Sequence, residues 1–135
     1  MNRKNLNRMA DYIETIPQEK FNMAAYRTGQ RTAHECDSVG CVVGHCTVLD
    51  KNPLPMNGLY NIDFLAWSRK FTGLDSYSDN NKCHYLFSFF WTAVDNTPVG
   101  TAKRIRYIIE HGLPEDWYEQ MHGRAPLSYL KNKTA

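Results

Sequence analysis

Apolar residues recur at Leu6, Met9, Ala10, Ile13 and Ile16, in the steps of three and four that mark one face of a helix, and Pro17 stops it. Asp11 and Glu14 fall on the opposite, wet face. From Gln18 to Glu35 the pattern is mixed and polar. Phe21, Met23 and Tyr26 are expected to pin this segment to the core, and 29–32 reads as loop. Residues 38–49 differ. Asp37 or Ser38 offers an N-cap. Val39, Val42, Val43, Cys46 and Leu49 make one apolar stripe, Cys41, His45 and Val48 a second, and Gly40, Gly44 and Thr47 a narrow third. A helix that is apolar or small on nearly every face is buried on most sides. Glycine inside a helix costs about 1 kcal/mol relative to alanine, and close approach of a neighbouring backbone explains its presence twice. Abundant Val and Thr would also suit a strand; the three-sided pattern favours the helix.

Pro53, Pro55 and Gly58 make 51–59 a loop. Ile62 to Phe71 reads as a helix with Phe64, Trp67 and Phe71 on one side, Leu74 beyond, and Gly73 as its stop. Asp75 to Lys82 reads as a polar loop. Cys83 to Val94 is dense in aromatics. As a helix it places Leu86, Phe89, Phe90 and Ala93 on one face, and a buried strand is the alternative. Thr97-Pro98 is a strong helix start, a hydroxyl N-cap followed by proline at the first helical position. Val99, Ala102, Ile105, Ile108 and Ile109 form its expected buried stripe, Gly112 ends it, Leu113 packs back and Pro114 prevents continuation. A short acidic-started helix runs from Pro114 to Met121. The pattern predicts a mainly α fold: one compact domain over 1–128, of about five or six helices around a buried central helix at 38–49, and a polar tail at 129–135.

Composition narrows the classes. The chain has 135 residues, 42% hydrophobic and 22% charged, enough to bury a core and unlike collagen, a long coiled coil or a disordered tail. Sixteen basic against fourteen acidic residues leave a net charge of +2, too little to indicate a polyanionic partner by itself. The N-terminus is basic, but no apolar run follows it as in a secretory signal. The densest apolar stretch, Tyr85 to Val94, is too short to span a bilayer and is interrupted by Ser88 and Thr92. The expected location is the cytoplasm, with no membrane contact. Reduced thiols are expected there for Cys36, Cys41, Cys46 and Cys83. On a helix, Cys41 and Cys46 would lie about 8.6 Å apart, beyond the roughly 7 Å reach of a disulfide; a Cys36–Cys83 bridge stays geometrically open.

Four constellations suggest chemistry. Cys36, Cys41, His45 and Cys83 carry zinc-type ligands, yet cysteines repeating every five residues rotate by about 140° per step on a helix. Only Cys41 and His45 share a face, so cysteine as small hydrophobic filler is the preferred reading, with no cofactor and zinc as the alternative. A thiol nucleophile from Cys41 with His45, or from any cysteine with His84, lacks an orienting acid, and an apolar helix raises a thiol's pKa. The tripeptide His45-Cys46-Thr47 matches a His-x-Thr element, but the two-histidine phosphodiesterases need two. Lys103, Arg104 and Arg106 on the expected exposed side of the Thr97 helix, with Arg69 and Lys70 elsewhere, could meet phosphates, or form a solvated face. Finally, Tyr77, Tyr85, Trp117, Tyr118 and Tyr129 are too many aromatics for so small a core, and Tyr and Trp among polar residues are the anchors that protein interfaces use.

The run Cys36-Asp37-Ser38-Val39-Gly40-Cys41-Val42-Val43-Gly44-His45 resembles a Cys-Gly-Thr-x-x-Cys-x-x-Gly-His-type motif of small, uncharacterised proteins of bacteria and their phages. In those proteins a helix with a Leu-Pro-like stop and a Phe-x-Met element precede the motif, matched here by Asp11 to Pro17 and Phe21-Asn22-Met23. A Thr-Pro helix with Arg-Ile follows it, matched by Thr97-Pro98 and Arg104-Ile105. Asp37 stands where glycine is usual, which favours a capping role there. The resemblance implies no transferable activity. It implies an accessory protein of phage type, active in the host cytoplasm by binding rather than catalysis. The reading is therefore a non-catalytic binding module with a protein partner, modulating a host or defence factor. The alternatives are a metal- or thiol-dependent enzyme centred on Cys41 and His45, and a nucleic-acid-binding protein.

Overall fold

A computed structural model describes residues 1–23, 45–50 and 61–130, without the side chains of 47 and 61–65. Among these residues the architecture is mainly helical, with five α-helices joined by short 3-10 turns and no strand. Helix α1 runs Arg3–Ile13 and buries Leu6, Met9, Ala10 and Ile13, the stripe its periodicity predicts. Asn2 caps it by accepting from the Asn5 amide at 2.9 Å. Helix α2 (Asn61–Thr72) ends at Gly73, whose φ of 70° only glycine adopts without strain. The start of α1 meets the end of α2: the Asn2 amide donates to Thr72 O, and Asn5 Nδ2 to Phe71 O. Phe21 and Met23 are buried, as the pinning role requires.

Helix α3 (Asn80–Phe87) begins inside the segment expected to be loop, after a 3-10 turn at Tyr77–Asp79. It does not continue into the aromatic run. Ser88 turns extended (ψ 143°), its hydroxyl accepts from the Phe90 amide at 3.1 Å, and a new 3-10 turn, Phe89–Ala93, starts there. The break resets the helical phase. Leu86 is buried as expected, but Phe89, Phe90 and Ala93 are exposed, while Tyr85, Phe87 and Trp91 go inside.

Helix α4 (Pro98–His111) has the predicted start: Thr97 Oγ1 accepts from the Gly100 amide at 3.0 Å, and Pro98 takes the first position. Gly112 (φ 77°) ends it, its amide bonded to Ile108 O. The buried face is Pro98, Thr101, Ala102, Arg104, Ile105 and Ile108. This corrects two expectations. Val99 is exposed, because Pro98 and Thr101 occupy the inner face of the first turn, and Arg104 is fully buried rather than on the outside. The α4 face packs most extensively on α1. On the rim of that contact Arg106 bonds Asp11, at 2.8 Å, and Glu14. Helix α5 (Trp117–Met121) is short, and a closing 3-10 turn, Ser128–Leu130, packs on α4. Tyr129, assigned by the sequence pattern to the start of a polar tail, is part of the core.

Of the central helix expected at 38–49, residues 38–44 lie outside the described residues, as do Tyr26, the 29–32 loop and the 51–59 loop. The described end carries helix at 45–46 and a 3-10 turn at Thr47–Leu49, with Cys46 fully buried. No helix among the described residues is long and apolar enough to cross a membrane.

Candidate binding face

The site is built in two layers: on each of three elements one residue faces in, while others one to three positions away supply the outward rings. The inward residues are Tyr85 on α3, Trp91 on the Phe89–Ala93 turn and Gln120 on α5, all fully buried. Trp91 Nε1 donates to Tyr85 O at 2.6 Å, and the Tyr85 hydroxyl donates to Gln120 Oε1 at 2.6 Å. Gln120 Oε1 also accepts from the Ser128 amide, and its Nε2 donates to Asp116 Oδ1 and Ser128 Oγ. All four hydrogen-bonding positions of that buried amide are thus filled. Burial pushes the Tyr85 hydroxyl well above the usual tyrosine range, keeping it a donor.

Beneath Trp91 lies Arg104. Its guanidinium carbon sits 3.8 Å from the Trp91 ring centroid, the geometry of a desolvated cation–π contact. Its nitrogens donate to Tyr129 Oη and Thr101 Oγ1, each at 2.9 Å, and Asp95 Oδ2 is 3.8 Å away. Asp95 is itself held, accepting from Tyr129 Oη at 2.7 Å and from Thr97 Oγ1 at 2.6 Å. A buried guanidinium persists only when paired and hydrogen-bonded; here Tyr129, Thr101 and Asp95 provide for the two terminal nitrogens, while Nε has no partner among the described residues. Burial acts to lower the arginine's pKa, and Tyr129 and Asp95 oppose that. This polar knot fixes the turn, α4 and the closing turn together.

The outward neighbours form the face. His84, Phe90, His122, Tyr118 and Trp117 make a closed circuit of ring contacts. Consecutive centroids lie 6.1 Å (His84–Phe90), 4.7 Å (Phe90–His122), 4.2 Å (His122–Tyr118), 5.7 Å (Tyr118–Trp117) and 6.1 Å (Trp117–His84) apart. Phe89 extends it, 4.6 Å from Phe90. Exposure is 61% for Phe89, 50% for Tyr118 and 37% for Phe90. His122 Nδ1 lies 2.8 Å from Tyr118 O. A carbonyl only accepts, so Nδ1 carries the hydrogen and Nε2 is left for the surface.

The five aromatics singled out from sequence therefore divide. Trp117 and Tyr118 belong to the circuit. Tyr77 is 92% exposed and stands apart from it. Tyr85 and Tyr129, expected outside, are buried, because Gln120, Asp95 and Arg104 satisfy their hydroxyls. His84, Phe89, Phe90 and His122 were not anticipated. The i, i+4 spacing of Tyr118 and His122 was readable, and Ser88 as a cap would have revealed the phase break.

For the metal reading, Cys36 and Cys41 lie outside the described residues. His45 Nε2 donates to Lys20 O at 2.6 Å, and Cys83, a buried free thiol pushed up in pKa by burial, donates to Leu74 O at 3.3 Å. Cys83 and its neighbour His84 point apart, one inward and one into the circuit. Among the described residues no three His, Cys, Asp or Glu side chains gather around a position for a metal ion. The basic cluster expected on α4 is dispersed: Lys103 is exposed, Arg104 buried and Arg106 paired with Asp11 and Glu14. No family model, curated protein or solved structure matches this chain.

Proposed function

We propose that the protein is a non-catalytic binding module that engages a protein partner through the ring circuit of His84, Phe90, Trp117, Tyr118 and His122, with Phe89 at its edge. As an accessory protein of phage type it would modulate a host or defence factor in this way. The observation that supports the reading most is the contrast between layers. Below, Tyr85 and Gln120 are matched to partners; above, His84, Phe89, Phe90 and Tyr118, from three segments, are left exposed. Rigid aromatic side chains give large contact area for little conformational entropy, which makes them interface anchors. Fixing them on a bonded underlayer lowers the ordering cost of binding.

The test is a paired affinity capture from host-cell extract with the wild-type chain and a Phe90→Ala/Tyr118→Ala variant as bait, both checked for native circular dichroism. The reading expects a protein retained by the wild type and lost by the variant. Equal retention by both baits, or none by either, contradicts it.

A further inference from the structure

The charges around the ring circuit say what kind of segment it would hold. Glu115 stands exposed in the turn just before α5, two residues from Trp117, and Glu119 follows Tyr118 on the helix itself. Asp116 adds a third carboxylate at the helix start, where one oxygen accepts from Gln120. Against these three, the stretch from Leu113 to Arg124 holds one guanidinium, Arg124, which lies 3.4 Å from Glu119 with both side chains about half exposed. On α3 the nearest cation in sequence, Lys82, is paired with Asp79 at 3.6 Å. Platforms for single-stranded nucleic acid interleave aromatics with lysine and arginine that follow the phosphates. Here the segment that supplies Trp117, Tyr118 and His122 carries three carboxylates instead, which would repel phosphates.

Resting on the reading of the circuit as a binding face, we infer that its occupant is a cationic peptide segment, whose guanidinium or ammonium groups lie over the rings and pair with Glu115 and Glu119. Electron-rich ring faces attract such cations, arginine more often than lysine, because its planar, weakly hydrated head stacks. The protein already packs one guanidinium this way, Arg104 on Trp91. The exposed Glu119–Arg124 pair contributes little by itself, so exchanging Arg124 for a partner's arginine is nearly free.

The test is a titration of the full chain, followed by NMR on its ring and imidazole signals, with three capped pentapeptides alternating glycine with arginine, glutamine or glutamate. The arginine peptide is expected to shift the signals of Phe90, Tyr118 and His122. Its affinity should fall roughly two- to fivefold in Glu115→Gln and again on raising salt. If the glutamine or glutamate peptide shifts the same rings as strongly, or Glu115→Gln changes nothing, the cationic occupant is wrong while the binding face stands. If the arginine peptide shifts only residues away from the circuit, both fall.

Discussion

The Tyr85 hydroxyl donates to Gln120 Oε1 at 2.6 Å, bridging α3 to α5 across thirty-five residues of chain. That bond sets how His84 meets Trp117 on the surface above, because each inward residue lies within a few positions of its outward neighbour. Removing it with Tyr85→Phe leaves Gln120 Oε1 with the Ser128 amide alone. The variant is expected to lose about 1–2 kcal/mol in urea unfolding, and the ring signals of Trp117 and Tyr118 should shift and broaden. Unchanged stability with unchanged ring signals would remove Tyr85 from the supporting role.

Two arginines two positions apart on α4 should behave oppositely. Arg104 is fully buried on Trp91, and Arg104→Ala leaves the Asp95–Tyr129 pair without its cation. Its expected cost is about 3–5 kcal/mol, and Arg104→Lys should rescue little, since an ammonium cannot stack or fork. Arg106, half-exposed beside Asp11 and Glu14, should cost under about 1 kcal/mol on replacement by alanine, less still in high salt. Urea unfolding of the three variants checks both halves.

Burial raises the pKa of both Tyr85 and Tyr129 above the ordinary value of 10.0. Above that pH the unfolded chain gives up phenolic protons that the folded chain keeps. The unfolded state then binds fewer protons, and stability falls as pH rises. Their contribution is complete below pH about 10 and declines above it. The decline should be shallower in Tyr129→Phe, compared with wild type by unfolding between neutral and strongly alkaline pH.

Gly100 in the first turn of α4 would look improvable, since alanine favours helix by roughly 1 kcal/mol. A Cβ there would collide with the Asp95 carboxylate that anchors Tyr129 and Thr97. Gly100→Ala is therefore expected to lower the melting temperature despite its helix propensity; a rise would contradict the tight Asp95 packing.

Periodicity made α1 and the ends of α4 legible, because Leu6, Met9, Ala10 and Ile13, like Thr97, Pro98 and Gly112, act through neighbours within a turn or two. Arg104 was not legible. A lone arginine reads as solvated, and its burial depends on Trp91, Asp95, Tyr129 and Thr101 converging from three segments. The face was half legible. Trp117 and Tyr118 stood out among polar residues, whereas Phe89 and Phe90 were masked by a helical phase that Ser88 interrupts. Tyr85 and Tyr129 were misassigned for the same reason as Arg104: their partners are distant in sequence.

If a partner docks on the ring circuit, site-specific photo-crosslinking will capture it there. A photoreactive phenylalanine analogue is placed at Tyr118 in one protein and at Tyr77, exposed but outside the circuit, in another, and each is irradiated in host-cell extract. A discrete protein adduct is expected from position 118 and none from position 77. Adducts of equal yield at both positions, or an adduct at 77 alone, would contradict docking on the circuit.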